Sequence, residues 1–233
     1  MLTVAILAGG LATRLEPILK DTPKSLIEIC GKPFIDWQLK LLAQSGIDRV
    51  VLCTSYKSEM IEKYVGDGTK YGIQINYSKD GQNQLGTGGA IKKATQQLEE
   101  SFMVLYGDSY LPFDYQSAIN TFFSSKKRAL MSIYKNKNLW DKSNVQYDGF
   151  KILEYNKVNP NLNMEFIDYG MGVISSSCFD EFVSGAFFDL ADLYHKLSIE
   201  DELAAYVVEN RFYEIGTVAG IKEFERYIKE ITQ

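Results

Sequence analysis

A glycine-rich segment near the amino end of the chain carries residue types that bind phosphate. The apolar run Val4–Leu7 predicts a short buried strand, and Gly9 and Gly10 follow where that strand ends. Glycines at this point allow backbone conformations closed to other residues and bring backbone N–H groups close to a ligand. Arg14 and Lys24 then add positive charge. The segment therefore predicts a site where amides hold a polyphosphate and cationic side chains neutralise it.

A carboxylate is placed to complement this phosphate site. Asp108 follows Gly107, directly after the apolar run Phe102–Tyr106, which predicts another strand. A carboxylate at the end of such a strand, opposite a triphosphate loop, is where Mg²⁺ needs a hard oxygen ligand. A turn residue that caps the following helix is the alternative explanation. We expect Asp108 to be a metal ligand.

A second glycine-rich segment, Leu85–Ala90, opens a predicted helix that runs to about Leu98. Its three glycines could simply make the start of the helix flexible, but they also allow a flat ring to approach the backbone closely. Gln82 and Gln84 precede the segment and could hydrogen-bond to the edges of a base. The segment is therefore a candidate binding site for a planar ring.

Composition narrows the class of protein. The chain has 233 residues, of which 45% are hydrophobic and 13% aromatic, so it can bury the core of an α/β domain. A net charge of −5 gives no general basic character for nucleic acid. Cys30, Cys53 and Cys178 are too widely spaced to suggest a zinc site or a disulfide framework. Signal-peptide and membrane-span patterns are missing, so a cytoplasmic protein without membrane or nucleic-acid partners is expected.

The order of elements in the first half predicts a largely parallel sheet with helices on both faces. Predicted strands alternate with predicted helices as far as about residue 125, which is the pattern of α/β folds. In such sheets ligands bind at the carboxyl ends of the strands. The segments 8–15, 85–90 and 107–109 follow strands or lie in the loops after them, so they are expected to meet at one site.

The second half has a different pattern. Strands are predicted at 129–134, 144–147, 151–155 and 169–174, the middle two as a hairpin. Helices are predicted at 178–183, 190–197, 200–208 and 219–231. Because no repeat, low-complexity tract or linker interrupts the chain, a single domain is expected over 1–233. Within it, residues 1–125 would bind a nucleotide and residues 126–233 would shape the pocket of a second substrate.

Several familiar motifs are missing from the sequence. It contains neither the G-x-G-x-x-G dinucleotide fingerprint, nor the G-K-[ST] of a P-loop, nor the G-x-S-x-G of hydrolases. The single histidine, His195, has no second histidine with which to build a metal site or a proton relay. We expect His195 to be structural or exposed.

The segment Leu7–Leu15 resembles the nucleotide-binding signature of the sugar-phosphate nucleotidyltransferases. That signature has the form L-A-G-G-x-G-T-R-L, with P-K-P further along the chain. Here Ala12 stands at the third glycine and Ser25 at the second proline, and the remaining positions match. The resemblance covers most of the chain and is sharp at the two glycine-rich segments and around Asp108. It implies an α/β fold with a Rossmann-like, mixed, mostly parallel central sheet flanked by helices, the nucleotide-diphospho-sugar transferase fold.

The resemblance implies roles for the residues that face the nucleotide. Arg14 would hold the β- and γ-phosphates while negative charge grows on the departing pyrophosphate, and Lys24 would also bind phosphate. The two glycine-rich segments would contact the nucleotide at Leu7, Ala8, Gly9, Gly10, Thr13, Gln84, Gly86, Thr87 and Gly88. Arg14, Lys24 and Asp108 are therefore the expected catalytic residues.

The resemblance also implies a metal and a second substrate site. Asp108 matches a family G-D that carries Mg²⁺, and Glu214 stands where the family has the aspartate of D-x-G-T. Glutamate is one methylene longer but is an acceptable Mg²⁺ ligand. Asp168 is the alternative second ligand and a candidate for binding a sugar hydroxyl. The expected sugar-phosphate-binding residues are Lys157, Asp168, Tyr169 and Gly170.

The implied reaction joins an NTP to a sugar 1-phosphate and releases pyrophosphate, with Mg²⁺ as the cofactor. The motif L-G-T-G-G-A-I-K-K-A in a short chain is similar to guanylyltransferases of surface-polysaccharide pathways that use heptose or mannose 1-phosphate. We therefore expect GTP and one of these sugar phosphates as substrates, and the chain could form a homo-oligomer.

Three alternatives stay open at this point. A cytidylyl- or uridylyltransferase would need only different contacts in the 80–90 loop, and its acceptor could be another sugar phosphate or a phosphocholine-like monoester. A catalytically silent nucleotide-sugar-binding regulatory protein would account for the departures at Ala12, Ser25 and Glu214. A plain dinucleotide-binding protein is disfavoured because the glycine spacing is wrong.

Overall fold

The computed structural model of the chain describes residues 1–10, 22–55, 57–81 and 83–232. Its strands are β1 (Val4–Leu7), β2 (Glu28–Ile29), β3 (Lys32–Pro33), β4 (Arg49–Thr54), β5 (Gln74–Lys79), β6 (Ser101–Tyr106), β7 (Ser109–Tyr110), β8 (Ala129–Lys135), β9 (Val145–Tyr147), β10 (Ile152–Tyr155), β11 (Phe166–Ser175), β12 (Leu203–Val208) and β13 (Tyr213–Glu214). Its helices are α1 (Phe34–Gln44), α2 (Ser58–Val65), α3 (Gly86–Ala94), α4 (Tyr115–Ser125), α5 (Leu190–Ile199) and α6 (Val218–Ile231). Of the helices in these ranges, none is both long and apolar enough to cross a membrane.

The parallel part of the central sheet is built around β1. This strand pairs with β4 on one side and with β6 on the other, and β5 lies beyond β4, all in parallel. Val4 and Ile6 face one layer of helices, Ala5 faces the other, and all three are fully buried. A short apolar run is typical of a parallel strand that is buried on both faces. The register places Leu7 level with the ends of β4 and β6, so the loops after these strands leave the sheet at one edge.

Helices cover both faces of the sheet, as the alternating pattern predicted. α1, α2 and α4 pack on one face through residues such as Leu39, Ile61 and Phe122. α3 and α5 pack on the opposite face, where Ile91 is fully buried. Burying an apolar side chain of this size contributes about 1.5–3 kcal/mol. α6 lies apart from these layers and packs Phe224 into a smaller cluster beside β2 and α1.

Antiparallel strands extend the sheet beyond β6. β11 pairs with β6 on one side and with β8 on the other, and β12 lies parallel to β8. The hairpin of β9 and β10 pairs with the start of β11. Asp148 forms its turn by accepting hydrogen bonds from the backbone N–H groups of Phe150 and Lys151, both at 2.8 Å. The prediction of a mixed sheet with a hairpin at this position is confirmed.

Residues 200–208 correct the prediction of a helix. Leu203–Val208 is the strand β12, which pairs in register with Ala129–Tyr134. Its leucine and alanines favour a helix, but pairing with β8 decides the outcome because tertiary contacts override weak local propensities. Residues 178–183 also lack the predicted α-helix, and a 3-10 turn covers Ser176–Phe179 instead.

Candidate active site

A cavity of about 320 Å³, the first cavity, opens at the carboxyl edge of the parallel strands. β1, β4, β5 and β6 all end at its wall, where ligands bind in sheets of this kind. The residues predicted to contact a nucleotide that line it are Leu7, Ala8, Gly9, Gly10, Gln84, Gly86 and Thr87. The predictions for Thr13 and Arg14 lie outside the described residues.

Among the described residues, the two glycines of the first glycine-rich segment have different surroundings. Ser55 donates a hydrogen bond from Oγ to the carbonyl of Gly9 at 2.7 Å. A Cβ atom at Gly9 would lie only 2.8 Å from the Ser55 Oγ, whereas a Cβ atom at Gly10 would meet no atom of the described residues within 4 Å. Packing among the described residues therefore explains Gly9 but not Gly10, whose bare backbone faces the cavity.

The second glycine-rich segment packs against residues far away in the sequence. A Cβ atom at Gly88 would overlap the ring of Phe188, and one at Gly89 would overlap the carbonyl oxygen of Ala186. The backbone N–H of Gly88 donates to the carbonyl of Phe188 at 3.0 Å. Gly86 lines the first cavity and has a φ of 71°. The glycines at 88 and 89 thus make room for residues 186–188, and Gly88 does not line the cavity.

A short ion pair stands at the inner end of the first cavity. Lys24 Nζ lies 2.5 Å from Asp108 Oδ2, with 17% and 33% of the two side chains exposed. Lys24 begins a 3-10 turn after Pro23, and Asp108 follows β6 and Gly107. A Cβ atom at position 107 would lie 2.6 Å from the carbonyl oxygen of Leu7. Glycine there lets β6 and its loop pass close to β1, which brings Asp108 towards the glycine-rich segment.

A second cavity of about 360 Å³ lies on the other side of this ion pair. Lys24, Tyr106 and Asp108 line both cavities, so the two spaces meet at these residues. The second cavity also contains Lys157, Asp168, Gly170 and Glu214, which were predicted to bind a sugar phosphate or a metal. The structure thus brings residues of the two halves of the chain together around the Lys24–Asp108 pair.

Glu214 reaches the site because β13 pairs with β7. The backbone N–H of Ile215 donates to the carbonyl of Asp108 at 3.0 Å, and Glu214 lies opposite Ser109 in the ladder. The Glu214 carboxyl lines the second cavity, where surrounding protein withdraws it partly from water although the residue keeps exposed surface. This desolvation, followed by the nearby Asp108 carboxylate, raises the pKa of Glu214 to about 7.

The two carboxylates fit a magnesium ion as two of its oxygen ligands. Among the described residues, no group of three or more His, Cys, Asp or Glu side chains is placed to hold a metal. Mg²⁺ is commonly bound by one or two carboxylates, with the remaining ligands supplied by substrate phosphates and water. A cation beside Asp108 and Glu214 would also offset the repulsion between the two carboxylates. The donor set therefore suits a metal that arrives with a triphosphate.

Asp168 faces the second cavity from near the start of β11. Its backbone N–H donates to Asn144 Oδ1 at 2.9 Å, and its own Oδ1 accepts a hydrogen bond from the N–H of Gly170 at 2.9 Å. Burial raises the pKa of Asp168 to about 6. The next side chain, Tyr169, points the other way and packs in the core against Phe113 and Phe212. Tyr169 therefore does not line the cavity, since successive side chains of a strand alternate between its faces.

Lys157 is connected to the nucleotide side of the site through Asp189. Lys157 Nζ lies 3.6 Å from Asp189 Oδ2, and Thr87 Oγ1 donates to Asp189 Oδ1 at 2.8 Å. Asp189 also caps α5 by accepting a hydrogen bond from the N–H of Ala191. One carboxylate thus contacts a residue of each cavity.

Sequence reasoning missed several residues of the site. Ser55 follows β4 and Asp80 follows β5, so the argument that identified Asp108 could have found both. Asp189 immediately precedes a predicted helix, which is a recognisable cap position. Tyr106 gave no signal because it looked like an ordinary strand residue. His195, in contrast, is structural as expected, with Nδ1 at 2.6 Å from the carbonyl oxygen of Tyr155.

Comparisons with known proteins agree with this geometry. The sequence profile of the family described as Nucleotidyl transferase matches residues 3–141. The chain is 30% identical over 226 residues to the N-acetylmuramate alpha-1-phosphate uridylyltransferase of Neisseria meningitidis serogroup B, covering 94% of each protein. It is 30% identical over 229 residues to the D-glycero-alpha-D-manno-heptose 1-phosphate guanylyltransferase of Aneurinibacillus thermoaerophilus, covering 96% of this chain and 98% of that protein.

A solved structure gives the same result. The crystal structure of HddC from Yersinia pseudotuberculosis complexed with GMP-PN has a TM-score of 0.80 and 26% sequence identity, over 98% of this chain and 100% of that chain. The predicted nucleotide-diphospho-sugar transferase fold is confirmed. The chain belongs to the nucleotidyl transferase family, as a sugar-1-phosphate nucleotidyltransferase.

Proposed function

We propose that this protein transfers a nucleotidyl group from an NTP to a sugar 1-phosphate and releases pyrophosphate. The observation that carries the proposal is that Lys24 and Asp108 border both cavities. In this arrangement the NTP occupies the first cavity and the sugar 1-phosphate occupies the second. The α-phosphate of the NTP then lies at the junction, beside the phosphate of the acceptor.

The reaction is a direct displacement at phosphorus. An oxygen of the sugar phosphate forms a bond to the α-phosphorus, and the bond from that phosphorus to the bridging oxygen of pyrophosphate breaks. A phosphate anion is already a nucleophile, so the step requires no general base. Positioning and charge neutralisation supply most of the rate enhancement, with Lys24 as the described cation at the junction. Arg14 is proposed to bind the departing pyrophosphate.

Mg²⁺ is the proposed cofactor, held by Asp108 and Glu214. When bound, it neutralises charge on the phosphates and orients them for displacement. With Asp108 holding the metal, Lys24 would be available to bind a phosphate oxygen. Asp168 stays available for a hydroxyl of the sugar.

GTP and a heptose or mannose 1-phosphate are the proposed substrates. The motif over 85–94, the heptose-phosphate guanylyltransferase relative and the HddC complex with GMP-PN support this choice. Gln84 is exposed at the rim of the first cavity, where it could hydrogen-bond to a base. The uridylyltransferase relative makes UTP the alternative nucleotide.

The proposal is tested by measuring pyrophosphate release with each of the four common NTPs and a panel of sugar 1-phosphates. The panel contains mannose, heptose and glucose 1-phosphates, N-acetylglucosamine 1-phosphate and phosphocholine. We expect Mg²⁺-dependent release, fastest with GTP and a mannose or heptose 1-phosphate. Release with another pair would correct the substrates but keep the reaction. NTP binding without release from any pair would overturn the proposal in favour of a silent nucleotide-binding protein.

A further inference from the structure

The described walls of the second cavity carry an excess of negative charge. Four carboxylates line this cavity, on Asp108, Asp141, Asp168 and Glu214. In the described part of its lining, the cations are Lys24 and Lys157. All four carboxylates border the same cavity of about 360 Å³. The carboxylates are therefore close enough to influence one another.

Three of these four carboxylates come from different elements in the second half of the chain. Asp168 belongs to β11, Glu214 to β13, and Asp141 to the loop between β8 and β9. This loop is held from inside by Asn136, a fully buried side chain. Its Nδ2 donates to the carbonyl of Asp141 at 2.6 Å, and its Oδ1 accepts a hydrogen bond from the N–H of Trp140 at 3.2 Å. Asp141 is thus placed at the cavity by a hydrogen-bonded loop anchored in the core.

The two lysines already have negative partners. Lys24 pairs with Asp108, and Lys157 pairs with Asp189. In the proposed reaction both are needed for phosphate, because a sugar 1-phosphate and a triphosphate bring several negative charges to the junction. The described lining then offers no further cation to a negative group elsewhere on the sugar.

We propose that Asp141 and Asp168 make the acceptor site selective for sugar 1-phosphates that carry hydroxyl groups and no carboxylate. This inference rests on the proposed function. Sugar hydroxyls donate hydrogen bonds to carboxylates, so a neutral sugar satisfies these acceptors when it enters. A uronic acid, or a sugar with a lactyl group such as N-acetylmuramate, would place a carboxylate against like charges in a partly desolvated cavity. Like charges brought together in this way oppose binding.

Two of the relatives that match over almost their full length differ in the charge of the sugar in their names. One is named for N-acetylmuramate alpha-1-phosphate, whose lactyl group carries a carboxylate, and the other for a heptose 1-phosphate, whose sugar is uncharged. Their identity to this chain is equal at 30%, so overall similarity does not choose between them. The charge of the acceptor cavity favours the uncharged sugar.

The test compares acceptors that differ in charge but little in shape. Mannose 1-phosphate, mannuronate 1-phosphate and mannuronamide 1-phosphate form one series, and the corresponding gluco compounds form a second. N-acetylglucosamine 1-phosphate and N-acetylmuramate 1-phosphate form a further pair. We expect kcat/KM for each carboxylate to be at least about 30-fold below that of its uncharged counterpart, a difference of about 2 kcal/mol. The amides should retain most of the activity of the parent sugars, since they match the carboxylates in size.

Two variants test whether charge is the cause. Asp141→Asn and Asp168→Asn keep the side-chain shape. Each should lower the ratio of kcat/KM between the neutral and the carboxylate sugar about 5-fold or more, even where activity towards neutral sugars also falls. Asp180→Asn, at an exposed position outside both cavities, is the matched control and should leave the ratio unchanged. Discrimination should also weaken as NaCl rises from about 50 to about 500 mM, because salt screens charge but does not change pocket size.

The outcomes distinguish this inference from the function on which it rests. Pyrophosphate release with neutral sugars and equal kcat/KM for the carboxylate sugars would overturn the inference and leave the function standing. A preference that persists in both variants and at high salt would also overturn it, because steric exclusion would then be the cause. Release with no acceptor would overturn the proposed function and the inference together.

Discussion

At the scale of single residues, Asp108 and Glu214 are the proposed metal ligands of the site. Asp108 is held next to Lys24 at 2.5 Å, at the point where the two cavities meet. Glu214 is brought beside it by the short pairing of β13 with β7. Two carboxylates next to each other disfavour the ionised form of at least one of them. A divalent cation would stabilise both ionised carboxylates, which supports the proposal that they hold a metal that comes with the nucleotide.

Removing the charge of Asp108 should remove catalysis while leaving part of nucleotide binding. We expect Asp108→Asn to lower kcat by about 10²–10³-fold or more, since the variant loses a charged ligand at the reacting phosphates. NTP binding measured by calorimetry without Mg²⁺ should persist, because the glycine-rich segment is unchanged. Pyrophosphate release measures kcat, with Asp180→Asn as the surface control. Unchanged turnover in Asp108→Asn would contradict the metal assignment.

The raised pKa of Glu214 predicts a dependence of stability on pH. Folding moves this pKa from 4.5 to about 7, so the folded protein holds the proton more tightly than the unfolded chain does. The contribution of Glu214 to the free energy of unfolding is therefore fully present at low pH and is lost as pH rises through this interval. Without divalent cations, the Tm of Glu214→Gln minus the Tm of the unaltered protein should increase as pH rises from about 5 to about 8.

Calorimetry at a series of pH values measures this difference in Tm. Glu209→Gln, at an exposed position outside both cavities, is the control and should show a Tm difference that does not change with pH. A Glu214→Gln difference that stays constant or shrinks with rising pH would show that the carboxyl is not destabilised in its ionised form.

At the scale of elements, the two halves of the site are joined by the segment that precedes α5. Residues 186–188 pack on the start of α3, where Gly88 and Gly89 leave space for them. Asp189 follows this segment and contacts both Thr87 and Lys157. Gly88 and Gly89 therefore serve tertiary packing, whereas Gly86 and Thr87 of the same segment line the first cavity.

Substitution of Gly88 and Gly10 should separate packing from ligand access. A Cβ atom at Gly88 would overlap the Phe188 ring, which is itself stacked on Phe182 at 4.1 Å. Gly88→Ala should therefore destabilise the protein by about 1–3 kcal/mol, as overpacking does. A Cβ atom at Gly10 would meet no described residue within 4 Å, so Gly10→Ala should change stability by less than about 0.5 kcal/mol, while raising the KM for the NTP.

Urea denaturation and steady-state kinetics on both variants measure these effects. The double variant Gly88→Ala with Phe188→Leu should be less destabilised than the sum of the single variants, because the smaller side chain vacates the space. Equal stability of Gly88→Ala and the unaltered protein would contradict the packing role of this glycine.

Asp189 should affect the sugar phosphate without affecting the fold when only its charge is removed. Asp189→Asn keeps a side chain that can cap α5 but loses the charge facing Lys157. We expect a change of several-fold in the KM for the sugar 1-phosphate and little change in the KM for the NTP. Asp189→Ala should in addition lose about 1 kcal/mol of stability, because the helix cap is lost. Identical acceptor KM values in the unaltered protein and Asp189→Asn would show that Asp189 does not position Lys157.

At the scale of the whole molecule, one mixed sheet runs through both halves of the chain. β6 and β11 pair along five residue pairs, from Leu105 with Met171 to Ser101 with Ser175. The division into a nucleotide-binding part (1–125) and a sugar-phosphate-binding part (126–233) remains a prediction about function. The shared sheet predicts that the two parts unfold together.

The two tryptophans report on this cooperativity. Trp37 lies in the first half on α1, and Trp140 lies in the second half with Arg211 stacked 3.5 Å from its ring centre. In each of the variants Trp37→Phe and Trp140→Phe, one tryptophan remains as the fluorescence probe. We expect its urea midpoint to equal the midpoint from far-UV circular dichroism of the same variant. Distinct midpoints for the two probes within one variant would indicate two independent units.

The elements that the sequence alone could identify have strong local signals. The apolar run of β1, the glycine pair after it and the alternation of strands and helices determine a parallel sheet and the edge that carries the site. Asp108 could be placed for the same reason, because a position directly after a buried strand needs no long-range information. The hairpin at Asp148 was predictable from its turn residues.

Other features depended on the tertiary structure because their causes lie far away in the sequence. Leu203–Val208 is a strand only because β8 offers it a partner. Position 88 has no room for a side chain because Phe188 packs against it. Asp189 contacts Thr87, about 100 residues away in the sequence, and Lys157, about 30 residues away. The meeting of the two cavities at Lys24 and Asp108 has the same origin, since a local pattern specifies a residue's element but not which distant side chains share its space.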